Sequence, residues 1–242
     1  TSNAGAVYLF NTPFTAPALA GVIGKGYIGT GNFDVSALEA GDEFGTSVSL
    51  AGTQLAVGAQ ADDGAGNSTT DAGAVYLFNN PFTTPALAGI IGKGYTGSGN
   101  FDVSALEVND QFGISVSLAG TQLAVGARDD DGAGNSTSNA GAVYLFNNPF
   151  STPALAGVIG KGYTGAGNFD VSALEAGDEF GASVSLAGTQ LAVGATNDAG
   201  AGNIAADAGA VYLFNNPFTA PALAGVIGKG YTGSGNFDVS AL

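Results

Sequence analysis

Residues 112–127 read FGISVSLAGTQLAVGA, and this stretch contains two short apolar runs with a polar break between them. Ser115–Leu118 alternates polar and apolar side chains, which is typical of a strand with one buried face. Ala119–Gln122 is a tight connection, and Leu123–Ala127 is small and apolar enough to be buried on both faces. The stretch therefore predicts two consecutive β-strands.

This stretch recurs because the chain is a tandem repeat with a period of 68 residues. The string AGAVYLF marks the period and begins at Ala4, Ala72, Ala140 and Ala208. The 242 residues divide into three full units and one partial unit, which cover residues 3–70, 71–138, 139–206 and 207–242. The second and third units match at 54 of 68 positions, so a residue that recurs between units is not thereby marked as functional.

Each full unit is expected to hold about four short strands and no helix of useful length. In the second unit the other two strands are Ala74–Phe78 and Ala86–Ile91. Asp102–Glu107 fits one helical turn or a bend, and Asp129–Ser138 is a long polar loop. Four strands in a repeat of this length match a propeller blade, whereas β-solenoid repeats are shorter. The sequence therefore predicts an all-β fold of tandem four-stranded repeats that resemble β-propeller blades, with an open repetitive β filament as the alternative.

Composition excludes several classes of function. Five basic residues against 20 acidic ones give a net charge of −15 at pH 7, which repels nucleic-acid phosphates and anionic lipids. No apolar run is long enough to span a membrane. His, Cys, Met and Trp are absent, which removes Ser-His-Asp and Cys-His catalysis, thiolate metal sites and disulfides. We therefore expect a protein that is not an enzyme, and, without an initiator Met or a signal peptide, a mature product or a piece of a longer chain.

Three polar loops hold the best candidates for metal ligands, and the metal they suit is calcium. The candidates are Asp62, Asp63, Asn67 and Asp71 in the first loop, Asp129, Asp130, Asp131 and Asn135 in the second, and Asp198, Asn203 and Asp207 in the third. Calcium takes six to eight hard oxygen ligands, and glycines between the ligands let a loop wrap around the ion. The alternative is that Asp, Asn and Gly simply form turns on a solvated loop. The third loop is the weaker candidate, because Ala199 replaces its second Asp.

The remaining polar and aromatic residues point to structure. The acidic group Glu107 and Asp110, with its counterparts in the other units, is expected to cap a turn and keep a glycine-rich sheet soluble. Asp102 is expected to start a helical turn or form an Asx turn. Lys93, in a Gly-Lys-Gly element without the P-loop spacing, is expected to be solvated or paired with a carboxylate. The recurrent Tyr and Phe residues are expected to be core, with a sugar-binding face as the alternative.

Three segments in a fixed order carry a resemblance to a known family. Phe112–Leu118, then Leu123–Ala127, then Gly141–Phe146 resemble the FG-GAP repeat, and the same signature begins again at Phe44 and Phe180. The resemblance implies the β-propeller of integrin α subunits and of large secreted bacterial proteins. It also implies an extracellular setting, and binding or adhesion in place of catalysis.

The chain departs from the family pattern at the calcium loop. In the family, a D-x-D-x-D-G loop usually joins the FG strand to the GA strand, but Ala119–Gln122 has no carboxylate. The family's calcium site therefore does not carry over at that joint. The number of strands also does not match a closed ring, because 14 strands make 3.5 blades, whereas closed propellers have about 4–8 blades.

These observations favour a non-enzymatic extracellular structural or adhesion module, a fragment of a larger repetitive surface or fibre-forming protein. Its expected partners are further copies of itself, joined head to tail or in a filament, and a protein or a glycan. The alternative is a calcium-dependent ligand-binding β-propeller with its polar loops on one rim. Neither alternative includes a nucleic-acid partner or a membrane span.

Overall fold

The computed structural model describes residues 2–240, and all regular structure in that part of the chain is β. A first sheet has three strands, in the order β1 (Ala6–Asn11), β2 (Ala18–Gly24) and β3 (Phe33–Asp34). A second sheet has five, in the order β4 (Phe44–Ala51), β5 (Gln54–Ala59), β6 (Ala74–Asn79), β7 (Ala86–Gly92) and β8 (Phe101–Asp102).

The other two sheets repeat the second one. The third consists of β9 (Phe112–Ala119), β10 (Gln122–Ala127), β11 (Ala142–Asn147), β12 (Ala154–Gly160) and β13 (Phe169–Asp170). The fourth consists of β14 (Phe180–Ala187), β15 (Gln190–Ala195), β16 (Ala210–Asn215), β17 (Ala222–Gly228) and β18 (Phe237–Asp238). The prediction of a repetitive all-β fold is confirmed.

Each five-stranded sheet is an antiparallel meander with one short parallel strand added. In the second sheet β4 to β7 pair in sequence order, as in a propeller blade, and β8 pairs with β7 in parallel. The 14 strands expected from the sequence are present, and four two-residue strands are added to them within residues 2–240. Two residues are too short for any periodic signal, so Phe101–Asp102 was missed; the residues after it form a turn.

The chain divides into two compact units. The first runs as far as Gly113 and includes Pro149–Pro153, and the second comprises Ile114–Asn148 and the chain from Ala154 onward. The three five-stranded sheets begin at the Phe-Gly strands, so their limits are offset from the sequence units 71–138 and 139–206. No helix within residues 2–240 has the length and apolarity needed to cross a membrane.

Aromatic rings form the core of each unit. In the first unit Phe44 meets Tyr76 and Phe78 edge to face, with ring centroids 5.5 and 6.1 Å apart. In the second unit Phe180 meets Tyr212 and Phe214 in the same way, at 5.4 and 6.2 Å. Such pairs add about 0.5–1.5 kcal/mol beyond the area they bury. The expectation that these recurrent aromatic residues are core is confirmed.

Consecutive sheets join through the Phe-Gly strand, and the second unit contains one such joint. The Ser115 hydroxyl donates to the Gly181 carbonyl at 2.7 Å, and the Leu186 N–H donates to Ser117 Oγ at 2.9 Å. Gly126 lies so close that a Cβ at this position would overlap the Gly181 carbonyl oxygen. The joint therefore requires glycine, and it brings β14 against β10.

Candidate functional site

A buried carboxylate follows β5 and binds two tyrosine hydroxyls. Asp62 accepts a hydrogen bond from the Tyr76 hydroxyl at 2.7 Å and bonds from the Tyr95 hydroxyl at 2.9 and 3.1 Å. The Gly64 N–H donates to the same carboxylate at 2.9 Å. Tyr76 lies on β6 and Tyr95 follows β7, so one side chain ties the loop after β5 to two later segments. We call this arrangement the Asp–Tyr–Tyr cluster.

The cluster recurs with the same geometry in the next two sheets. Asp130 accepts from the Tyr144 hydroxyl at 2.8 Å and from the Tyr163 hydroxyl at 3.0 and 3.1 Å. Asp198 accepts from the Tyr212 hydroxyl at 2.6 Å, and from the Tyr231 hydroxyl at 3.1 and 3.0 Å. The three carboxylates therefore serve a structural purpose that the sequence analysis missed. The constant spacing from each Asp to its two tyrosines gave no signal, because almost every residue recurs with the same period of 68 residues.

Burial governs the electrostatics of the cluster. It raises the pKa of Asp62 and of Asp130, while hydrogen bonds from the two tyrosines oppose that rise. The pKa of Tyr144 is raised well above its usual value by burial and by the neighbouring carboxylate of Asp130. Burial, and after it the neighbouring carboxylate of Asp198, raises the pKa of Tyr231 to about 12. The phenols therefore stay protonated at neutral pH, which keeps them as donors to the carboxylates.

The other predicted calcium ligands lie in the loops after β5, β10 and β15 and have varied contacts. Asp63 accepts from the Asp71 N–H at 2.9 Å, and Asp131 accepts from the Asn139 N–H at 2.8 Å. Asp129 lies 3.6 Å from the Arg128 guanidinium. Positive φ angles of 50–54° occur at the turn residues Asn67, Asp71, Asn135, Asn203 and Asp207. Asp and Asn tolerate that conformation better than most residues, so turn formation accounts for part of the loop composition.

The carboxylates of the predicted ligands do not converge on one point. Asp62, Asp130 and Asp198 are buried toward the tyrosines, whereas Asp63 and Asp131 bind main-chain N–H groups of their own loops. Across residues 2–240, no group of three or more His, Cys, Asp or Glu side chains is placed to hold a metal ion. Calcium binding at these loops stays a prediction, and it would rely on amide, carbonyl and water oxygens for most of its ligands.

Three further polar side chains that the sequence singled out also bind the main chain. Asp110 accepts from the Glu107 N–H at 2.7 Å, which confirms the expected turn cap. Asp102 accepts from the Gly94 N–H at 2.7 Å, so it closes the Gly-Lys-Gly turn and starts no helix. The Lys93 ammonium donates to the Ser104 carbonyl, where the sequence predicted a solvated or carboxylate-paired lysine. Short-range sequence patterns do not predict contacts of this kind, because the two partners come together only when the sheet has formed.

A second candidate surface lies in the first unit, at the edge of the three-stranded sheet. Tyr8 and Phe10 on β1 are 55% and 47% exposed, and Leu50 on β4 is 51% exposed. We call these three residues, with Val48 and the outer backbone of β1, the open edge. Within residues 2–240 no strand pairs with β1 on that side, because β1 ends the order of its sheet.

Comparison with known proteins agrees with this architecture. The family model of the FG-GAP repeat matches residues 36–78, 104–146 and 172–214, which together make up more than half of the chain. Each match runs from the turn before a Phe-Gly strand to the end of the third strand of the same sheet. No curated protein matches the chain. FG-GAP repeats are found in integrin-like adhesion proteins, are typical of extracellular and surface proteins, and are generally structural or ligand-binding. The chain belongs to the FG-GAP repeat family.

Proposed function

We propose that this chain is a non-enzymatic extracellular structural or adhesion module of a larger repetitive surface or fibre-forming protein, and that it self-associates. The observation that carries the proposal is the joint between consecutive sheets. Ser47 Oγ donates to the Gly113 carbonyl at 2.7 Å in the first unit, and Ser115 Oγ donates to the Gly181 carbonyl at 2.7 Å in the second. Because the joint is the same each time, repeats of this kind add to one another without a new interface.

The use of the polar side chains supports the same proposal. The buried carboxylates bind tyrosines, and Lys25 and Lys161 donate to the main-chain carbonyls of Ser36 and Ser172. Catalysis needs a nucleophile, acid or base directed at a substrate, with a pKa matched to its task. Here the titratable groups that recur hold the fold together, which favours a structural role.

Electron microscopy and sedimentation of the native material test the proposal. We expect polymers with a regular axial repeat that pellet with calcium present and persist after chelation with EDTA. Discrete, monodisperse particles at every concentration would overturn self-association. A matched sample in which Gly126→Ala disrupts the joint should lose the polymers.

The alternative is a calcium-dependent ligand-binding module, and a specific observation favours it. Asn67 and Asn135 are exposed in the same loops that hold the half-buried Asp63 and Asp131. We expect a calcium titration to raise the melting temperature if this alternative holds, and EDTA to reverse the rise. The double variant Asp63→Asn with Asp131→Asn should abolish the response, whereas Glu107→Gln, at an exposed residue outside the loops, should leave it unchanged.

A further inference from the structure

We propose that the five-stranded sheets associate through their uncharged ends, and that the partner is the uncharged end of a second copy of this chain. In the second sheet the uncharged end consists of the β4–β5 turn and the β6–β7 loop, residues 51–53 and 80–85. Its counterparts are residues 119–121 with 148–153, and residues 187–189 with 216–221. This inference rests on the proposed self-association and gives it a surface and a partner.

Every charged side chain lies at the opposite end of its sheet, which we call the charged end. In the second sheet the start of β4 pairs with the end of β5, the start of β6 pairs with the end of β7, and β8 lies beside that same end of β7. Over the whole chain, the 20 acidic and five basic residues fall within the segments that join such strand ends, which are 25–43, 62–71, 93–110, 128–131, 161–179, 198–207 and 229–238. Within residues 2–240 the other end of each sheet therefore has no charged side chain.

A hydrogen bond that recurs in each sheet holds the uncharged end in one conformation. In the second sheet the Asn80 N–H donates to the Thr53 carbonyl at 2.7 Å, which ties the loop to the turn. The same bond, also at 2.7 Å, joins Asn148 to Thr121 and Asn216 to Thr189. Because both segments are fixed before a partner arrives, association at this end costs little conformational entropy.

Apolar surface is exposed where the loop of the uncharged end meets the next strand. Leu87 is the second residue of β7 and is 39% exposed. Its counterparts Leu155 on β12 and Leu223 on β17 are each 41% exposed, so the feature recurs in all three five-stranded sheets. Covering such leucines stabilises an assembly by about 25 cal/mol for each Å² of apolar surface buried.

The distribution of charge identifies a second copy as the partner. The strands between the two ends have six to eight residues, and at about 3.3 Å per residue they hold the ends about 20 Å apart. Two copies that meet at their uncharged ends therefore keep their acidic segments about 40 Å apart, which is several Debye lengths at about 0.15 M salt. Contact through the charged ends would instead bring together the acidic segments of two chains that each have a net charge of −15. A strongly charged partner would find no ion pair at the uncharged end, whereas a second copy meets its like there without repulsion.

Disulfide cross-linking tests which ends meet, because the chain has no cysteine of its own. Thr189→Cys places a thiol at the uncharged end, and Ser136→Cys is the matched control at the charged end; both residues are exposed. We expect diamide, at about 0.15 M sodium chloride, to link Thr189→Cys chains into pairs at least about tenfold faster than Ser136→Cys chains, because association raises the effective concentration of the thiols. In urea the two variants should react at the same rate. Equal rates for the folded chains would overturn the inference.

Added charge tests the same surface by sedimentation velocity. The triple variant Thr53→Asp, Thr121→Asp and Thr189→Asp places carboxylates at exposed positions of the uncharged ends, and we expect it to remain monomeric under conditions in which the parent chain associates. The triple variant Ser68→Asp, Ser136→Asp and Ile204→Asp adds the same charge at exposed positions of the charged ends, and it should associate like the parent chain. Circular dichroism checks that both variants are folded.

The outcomes separate this inference from the proposed function. Polymers that persist in the first triple variant would overturn the inference and leave the proposed self-association standing. Discrete pairs without polymers, which the first triple variant dissociates, would leave the inference standing and overturn the fibre-forming proposal. A parent chain that remains monomeric at every concentration would overturn both.

Discussion

At the scale of the residue, the hydroxyl group of Tyr144 should have a measurable effect on stability. It donates to the buried carboxylate of Asp130 at 2.8 Å, so Tyr144→Phe leaves that carboxylate short of one donor. We expect the free energy of unfolding to fall by about 1–3 kcal/mol. Urea unfolding followed by circular dichroism measures the loss. Tyr8→Phe is the matched control, because the exposed Tyr8 hydroxyl contacts the hydroxyl of Tyr27 rather than a buried carboxylate, and it should change stability by less than about 0.5 kcal/mol.

The carboxyl of Asp62 should shape the pH dependence of stability. Its pKa is raised by burial from the value of 3.8 that applies to the exposed group. Between 3.8 and the higher folded pKa the native state therefore binds more protons than the unfolded state. The contribution of this group to the free energy of unfolding is greatest at low pH and is lost as pH rises through the folded pKa.

Asp62→Asn removes the titrating group, so we expect the decline in stability above pH 3.8 to become shallower. Urea unfolding in small pH steps measures the slope. Glu107→Gln removes one carboxylate from an exposed side chain and should leave the slope close to that of the parent protein. Equal slopes for all three proteins would mean that Asp62 titrates alike in both states.

At the scale of the strand, Gly126 in β10 and Gly194 in β15 occupy equivalent positions but differ in what an added Cβ would contact. A Cβ at Gly126 would overlap the backbone carbonyl of Gly181, whereas a Cβ at Gly194 would meet only the Ser183 hydroxyl, which can rotate away. We expect Gly126→Ala to lower the free energy of unfolding by at least about 1–3 kcal/mol. Gly194→Ala should be much milder. Thermal unfolding of the two variants compares them, and equal losses would contradict the role given to the joint.

Strands were more predictable than the contacts of polar residues, for a physical reason. Ser115–Leu118 alternates in polarity, so its position within β9 followed from its period of two. The strand also extends back to Phe112, where β-bulges in the equivalent strands hide the alternation. Asp62 lies in a loop rich in Asp, Asn and Gly, and that composition led to its prediction as a calcium ligand. Only the fold shows that the tyrosines 14 and 33 residues further along are its partners.

For the whole molecule, we expect charge to control the proposed self-association. The net charge of −15 makes any two copies repel each other, although their uncovered strands are apolar. Salt screens that repulsion, with a Debye length of about 30 Å at 0.01 M and about 8 Å at 0.15 M. We therefore expect self-association to strengthen as sodium chloride rises over this range, as measured by sedimentation velocity. Weaker association at higher salt would show that ion pairs between copies, rather than apolar surfaces, hold the assembly.

The Asp–Tyr–Tyr cluster also gives the protein an intrinsic spectroscopic probe. The chain has eight tyrosines and no tryptophan, so phenol dominates its near-ultraviolet absorbance. Burial beside a carboxylate raises the pKa of Tyr76, Tyr144 and Tyr212, so these phenols resist ionisation while their sheets are intact. The phenolate band that grows during an alkaline titration would then record, without any label, the order in which the repeats open.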